Sequence, residues 1–227
     1  MRYLYVHINN DYSGATYAMK AIIESHGLNN FTLMTDFQSD GFLKKEISND
    51  TISINYSFKG IGLGTIYQLF RYALISLFKL LYTPIIRKTN VFYINAISPW
   101  TTAIVGWIFN KKVIYQIHEY YVNPSFHIKF YIWIMSLTAN ELIFVSNFTK
   151  EKYLKEYPKL KKINSSIKFT PVRFETLNFE NLNITEKFNG PIVLVCAPKI
   201  YKGVEVFVKL AEQMPSKLFK LYLNEDY

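Results

Sequence analysis

Lys199 and Lys202 stand three residues apart in the segment Ala197-Pro198-Lys199-Ile200-Tyr201-Lys202-Gly203. That segment follows the apolar run Ile192-Val193-Leu194-Val195-Cys196 and precedes a helical pattern. Two ammonium groups at a helix start, with Gly203 beside them, can neutralise a diphosphate while the helix N-terminus adds N–H donors. A pair of solvated lysines meets the same spacing. His118-Glu119 closes a second apolar run, Val113-Ile114-Tyr115-Gln116-Ile117. An imidazole at a strand tip can hydrogen-bond a sugar hydroxyl or meet a developing charge; a histidine on a surface loop is the plainer alternative. Ser13-Gly14-Ala15 opens the first helical pattern. Backbone N–H groups there suit an anion, and a capped tight turn fits equally. Ser146-Asn147 follows a further strand-like run, where a helix cap is the plainer role than catalysis.

Other chemistries find less support. The single cysteine, Cys196, excludes a disulfide framework and a CxxC pair, and its apolar strand suits core better than a nucleophile. HExxH, GxSxG, GxGxxG and GxxxxGK[ST] are all absent from the sequence. No His, Asp and Glu cluster has metal-ligand spacing. His7 alternates within a strand, and His26 sits near a helix end, where the dipole favours the charged ring.

The elements that must position these residues alternate between the two periods. Arg2–Asn9, Phe31–Phe37, Thr51–Phe58, Val91–Ala96, Lys112–Glu119, Glu141–Ser146 and Ile167–Phe174 read as strands. Ala15, Ala18, Met19, Ile22 and Ile23 share one helix face, stopped at Gly27. Helices are expected over 65–83, Thr101–Asn110, His127–Ala139 and Phe148–Tyr157, the last halted by Pro158. A polar, Asn-rich stretch follows, then one more strand, helix and strand. Alternation of this kind argues for an α/β fold with a Rossmann-like parallel sheet and flanking helices. The expected organisation is a first domain over 1–175, a linker over 176–189, and the first βαβ of a second Rossmann-like domain over 190–227.

Half of the 227 residues are hydrophobic and 19% are charged, enough for a sizeable core and against global disorder. The formal charge is +9, in a composition rich in Lys, Asn, Ile, Tyr and Phe. No nucleic-acid motif accompanies it, so no nucleic-acid partner is expected. Between residues 61 and 140 Glu119 is the only acid, against Arg71, Lys79, Arg87, Lys88, Lys111, Lys112 and Lys129. Tyr67, Phe70, Leu74, Phe78 and Leu81 recur mostly every three or four residues beside Arg71 and Lys79. Such a helix can lie on an anionic leaflet or belong to the core. A secretory signal and a spanning helix are not expected from the pattern.

Four of these stations, in this order, resemble the family 4 glycosyltransferases, retaining enzymes of the two-domain GT-B fold. They are the first strand with its Ser-Gly-Ala loop, then NKKVIYQIHE at 110–119, ELIFVSNFTKEKYLKEY at 141–157 and PIVLVCAPKIYKGVEVFVKLAEQM at 191–214. The resemblance implies a UDP- or GDP-sugar as substrate and neither a cofactor nor a catalytic metal. It implies that Lys199 and Lys202, followed by Gly203, hold the donor diphosphate, although the family often spaces the first basic residue further away. Gly14 would admit the donor phosphates to the backbone, and His118 would contact the transferred sugar. Ser13, Glu119 and Ser146 are secondary candidates. The implied role is sugar transfer to a glycan or lipid-linked acceptor in surface-polysaccharide or lipopolysaccharide biosynthesis. It would take place in the cytoplasm, or peripherally at the cytoplasmic face of the inner membrane. The family's later pair of glutamates, about eight residues apart, has no counterpart before Tyr227. The expectation is therefore a chain truncated in its donor-binding domain. A non-catalytic acceptor-binding or membrane-docking module, half of a split enzyme with a complementing chain, and a sugar-nucleotide epimerase are the alternatives.

Overall fold

A computed structural model describes residues 1–8, 10, 14–27, 31–36, 41–43, 47, 51–54, 63–169, 190–196 and 203–223. The chain divides into two compact units, Met1–Arg173 and Phe174–Tyr227. The expected linker at 176–189 and the last part of the expected third strand, 55–58, lie outside the described residues.

The first unit runs β1 (Tyr3–His7), α1 (Gly14–Ser25), β2 (Phe31–Asp36), β3 (Thr51–Ile54), α2 (Leu63–Tyr82), α3 (Ile85–Lys88) and β4 (Val91–Asn95). It continues through α4 (Trp100–Ile108), β5 (Lys112–Ile117), α5 (Phe126–Thr138), β6 (Glu141–Phe144), α6 (Asn147–Glu156) and β7 (Asn164–Ile167). The seven strands form one sheet in the order β3-β2-β1-β4-β5-β6-β7, and every pairing is parallel. The α/β class and Rossmann-like sheet expected from the alternation are therefore the observed ones.

Two-sided burial explains why the strands read as continuous apolar runs. In β1, Leu4 and Val6 enter a core with Phe92 and Ile94 of β4, Tyr72 and Leu80 of α2, Val105 of α4 and Met135 of α5. Tyr5, between them, points to the other face and joins Met19, Ile22 and Ile23 of α1 with Leu33, Val91 and Tyr93. Right-handed crossovers require this division, because β1–α1–β2 moves one way along the sheet and β4–α4–β5 the other.

Local chemistry sets the boundaries. Gly27 adopts φ +58° just past α1, a left-handed conformation in which glycine carries no steric penalty. Ser146 caps α6 by accepting from the Thr149 N–H at 3.1 Å. Pro158 cannot continue α6 and instead opens a short 3-10 turn, Pro158–Lys162.

Two expectations need correction. Ala15 is exposed, and Thr16 takes the buried place on α1 because its hydroxyl meets His7 Nε2 at 3.2 Å. The strand expected at Ile167–Phe174 meets β7, Asn164–Ile167, only at Ile167; Lys168 and Phe169 are not strand, and 170–174 lie outside the described residues. The Asn-Ser-Ser sequence of β7 has little strand propensity, and its place is fixed by parallel pairing to β6, from Glu141↔Asn164 to Phe144↔Ile167.

The second unit holds β8 (Ile192–Cys196), α7 (Val204–Gln213) and β9 (Phe219–Leu223), with β8 and β9 parallel. Phe207 meets Phe219 edge-on at 5.3 Å between ring centroids. Cys196 is a half-buried free thiol.

Gly106 marks a close helix–sheet approach. A Cβ there would lie 2.9 Å from Val113 Cγ2 and 3.1 Å from the Phe92 ring, both on fully buried side chains. Alanine would gain about 1 kcal/mol of helix propensity but overpack the core by about 1–3 kcal/mol. Gly106→Ala should therefore lower the unfolding free energy in a urea titration. Gly14→Ala, where a Cβ meets nothing within 4 Å, should leave it within about 1 kcal/mol.

Candidate functional site

Strand order reverses between β1 and β4. The chain leaves β1 toward β2 on one side and leaves β4 toward β5 on the other, so their loops part at the carboxyl edge and open a crevice. Ligands of parallel sheets bind in such a place. The site is therefore built along the tips of β1, β4, β5 and β6, which are neighbours in that order.

At the β1 tip, His7 is buried against Thr16 of α1. Asn10 is also buried, and its side-chain Oδ1 accepts from the Leu43 N–H at 3.0 Å, tying the segment after β1 to a helical residue in the segment after β2. Gly41 belongs to the same junction, since a Cβ there would strike the Asn10 carbonyl. Gly14, the first residue of α1, is exposed, and no atom of the described residues occupies the space its missing side chain leaves. The fold itself does not require glycine at 14. Ser13 lies outside the described residues.

At the β4 tip stands Asn95, paired in register with His7 on one side and Gln116 on the other. Its side chain is buried, and neither Oδ1 nor Nδ2 has a hydrogen-bond partner among the described residues. Buried amides are rarely left this way, because each unmade bond carries a desolvation penalty. Gln116, beside it, accepts from the Tyr93 hydroxyl at 2.6 Å. In the sequence Asn95 carries the same signal as His118, a polar residue closing an apolar run, here Val91-Phe92-Tyr93-Ile94.

At the β5 tip, His118 is half-buried, and its Nε2 is buried without a partner among the described residues. Burial pushes the ring below its ordinary 6.5, and the Glu119 carboxylate opposes that shift without overcoming it. The imidazole is thus neutral near pH 7, with one ring nitrogen free to accept or donate. Glu119 is exposed beside it. Ser146, at the β6 tip, is engaged in its cap and in a 2.9 Å contact with the Thr149 hydroxyl.

The structure thus brings Gly14, His118, Glu119 and Ser146 to one edge of one sheet. Neighbouring strands are about 4.8 Å apart, so the β1 and β5 tips are separated by roughly 10 Å. In the second unit, Gly203 caps α7 with φ +81°, a left-handed backbone that glycine adopts readily. Lys199 and Lys202 lie outside the described residues. Among the described residues no group of three His, Cys, Asp or Glu side chains could hold a metal ion. A pocket of about 230 Å³ beside α5, lined by Trp133, Glu156, Tyr157 and Lys159, contains none of the expected site residues.

His26 departs from expectation. Its Nδ1 lies 2.6 Å from the Tyr5 hydroxyl, and burial, with a smaller contribution from Lys168, lowers its pKa. Desolvation outweighs the helix-end dipole that would favour the charged ring.

No protein-family model matches the chain, and no curated protein matches it. Solved structures do. HepE from Anabaena, in complex with UDP and glucose, superposes with a TM-score of 0.68 at 13% identity, over 97% of this chain and 60% of its own. Sucrose-phosphate synthase from Thermosynechococcus elongatus gives 0.64 at 15% identity, over 98% of this chain and 62% of its own. UDP-GlcNAc 2-epimerase from Neisseria meningitidis, bound to UDP-GlcNAc, gives 0.56 at 12% identity, over 100% of this chain and 67% of its own. The chain thus spans about three fifths of the length of the first two. Likeness at these identities is one of fold, the Rossmann-like α/β arrangement expected of a GT-B chain.

Because burial lowers both rings, the folded state holds fewer protons than the unfolded chain at and below about pH 6.5. Their contribution to stability is complete above 6.5 and is lost as pH falls through the folded-state values. Urea unfolding from pH 7.5 to 5 should show a smaller decline in a His26→Gln/His118→Gln variant than in the unchanged chain. A proton NMR titration should put the His118 midpoint below 6.5. A midpoint above it would contradict the burial argument.

Proposed function

We propose that the chain is a glycosyltransferase, or the acceptor-side part of one, using a UDP- or GDP-sugar and a glycan or lipid-linked hydroxyl acceptor. In the proposed reaction the acceptor oxygen bonds to the donor's anomeric carbon as the bond from that carbon to the diphosphate oxygen breaks. The acceptor's proton passes to the departing diphosphate, and the anomeric configuration is retained.

One observation carries the reading. His118, with an unpaired buried Nε2, and Gly14, with open space before it, share the carboxyl edge of a parallel sheet whose strand order reverses between them. A neutral imidazole there can hold a sugar hydroxyl as charge develops on the ring. The unpaired amide of Asn95 adds a donor and an acceptor of the kind that hydroxyl-rich substrates satisfy. Gly14 leaves backbone N–H groups at the start of α1 accessible to phosphate. Lys199 and Lys202, with Gly203, would neutralise the leaving diphosphate, the largest charge formed in the reaction. The likeness to HepE, solved with UDP and glucose, supports a nucleotide-sugar substrate.

The likeness to UDP-GlcNAc 2-epimerase favours a second reading on the same fold, in which the sugar nucleotide is rearranged without an acceptor. Incubating the full chain with UDP- and GDP-sugars, with and without acceptor glycans, separates the two. Transfer requires the acceptor; epimerisation proceeds without it. Calorimetric titration should detect binding of at least one nucleotide sugar. His118→Ala should cut transfer by about a hundredfold. Lys199→Gln and Lys202→Gln should each weaken donor binding by roughly tenfold, as expected for a lost charge-assisted hydrogen bond. A chain that binds no nucleotide sugar would be a non-catalytic module or half of a split enzyme.

A further inference from the structure

The crossover helix α2 has two apolar faces. Tyr72, Ala73, Ser76 and Leu80 turn inward and are buried. On the opposite side stand Tyr67, Phe70, Leu74, Phe78, Leu81 and Tyr82, and all six are exposed. At 100° per residue these six, with Arg71 among them, span an arc of about 120°. The largest are the most open: Tyr67 at 66%, Phe70 at 61%, Phe78 at 52% and Tyr82 at 82% of full exposure. Phe78 and Tyr82 stack on one another at 6.2 Å, so part of the stripe is already ordered.

Single exposed apolar side chains need no explanation, but a continuous stripe of four aromatics and two leucines along one helix does. Charge identifies what covers it. The ionic groups on α2 are Arg71 and Lys79, both cations and both exposed, and Arg87 and Lys88 of α3 follow as two more. Between residues 61 and 118 the sequence contains no acid at all. A second copy of this face would set cation against cation. An anionic bilayer offers what the stripe lacks on both counts: an apolar interior for the aromatics and phosphates for the cations. No helix of the described residues is long and apolar enough to cross a membrane, so the mode is one of lying on the surface.

We infer that the outer face of α2 docks the protein on an anionic lipid surface, with Tyr67, Phe70, Leu74, Phe78, Leu81 and Tyr82 entering the headgroup boundary and Arg71 and Lys79 meeting lipid phosphates. The inference is independent of the sugar-transfer reading and holds even for a chain that binds no nucleotide sugar.

The test is flotation of the full chain with phosphatidylcholine vesicles, alone or containing about one third phosphatidylglycerol. Recovery should be at least about tenfold higher with the anionic vesicles and should fall as salt rises, since each cation near such a surface raises partitioning by roughly fivefold. Phe70→Asp/Phe78→Asp should abolish flotation while leaving the thermal unfolding curve in place, because neither ring is in the core. Equal recovery with neutral and anionic vesicles would overturn the inference, and so would a double variant that floats like the unchanged chain. A dimer in solution that the double variant dissolves would assign the stripe to a second copy instead. As a measurement that needs no loss of function, Phe78→Trp should give a tryptophan quenched by brominated anionic lipid. No additional quenching relative to the unchanged chain, whose own tryptophans supply the baseline, would also count against the face.

Discussion

The parallel pairing of β1 with β4 governs the molecule. The two strands run in register from Tyr3↔Val91 to His7↔Asn95, and all of β4 and all of β1 but Tyr3 are buried. Parallel strands place their carboxyl ends together, so the loops that leave them emerge at one edge. Burial on both faces keeps Asp, Glu, Lys and Arg out of the middles of these seven strands and leaves them at the strand ends, as with Lys112 and Glu141. The same pairing requires a helix layer on each side, since neither face can be left to water. Fold and site thus follow from one constraint: the edge that collects polar residues is the edge at which the chain must turn.

Polar groups within the sheet are handled in two different ways. Two tyrosine hydroxyls find side-chain partners. The Tyr5 hydroxyl meets His26, the Tyr93 hydroxyl donates to Gln116, and burial pushes both tyrosines well above their ordinary range. Both rings therefore stay neutral and serve as core with a hydrogen-bonding end. At the tips the pattern changes: Asn95 and His118 keep polar atoms buried and unmatched. An unpaired buried group carries a penalty of about 1–3 kcal/mol. Thr35 in β2 and Ser166 in β7 also keep a buried, unmatched hydroxyl among the described residues, but Asn95 and His118 are the ones whose unmatched atoms stand at the edge proposed as the site.

The sequence made the strands, their parallel arrangement and the β5 and β6 tips legible because two-sided burial leaves an unmistakable apolar run. It failed where tertiary contact overrides local pattern. Asn164-Ser165-Ser166 forms β7 only because β6 offers an unpaired edge. Thr16 is buried only because His7 faces it across nine residues of chain. His26 sits at a helix end, as its position indicates, yet its ionisation follows the aromatic cluster of Tyr3, Tyr5 and Tyr93 around it. Asn95 is hidden in the sequence for a different reason. An asparagine closing a strand resembles any turn residue, and only the register that sets it between His7 and Gln116 makes its isolation visible.

α2 raises the remaining question of economy in the fold. The crossover from β3 to β4 needs one apolar face, which Tyr72, Ala73, Ser76 and Leu80 provide against α4 and the sheet. A soluble helix with that job carries polar residues on its outer side. Here the outer side is aromatic and cationic, so its composition answers a requirement other than folding. The topology gives that requirement a direction. In a β–α–β crossover the helix starts at the carboxyl edge and returns toward the amino edge. Tyr67 and Phe70, in the first half of α2, therefore lie nearer the edge that carries His118 and Asn95 than do Leu81 and Tyr82. Under the docking inferred above, the bilayer would lie alongside the helix, with the crevice opening toward one end of the contact.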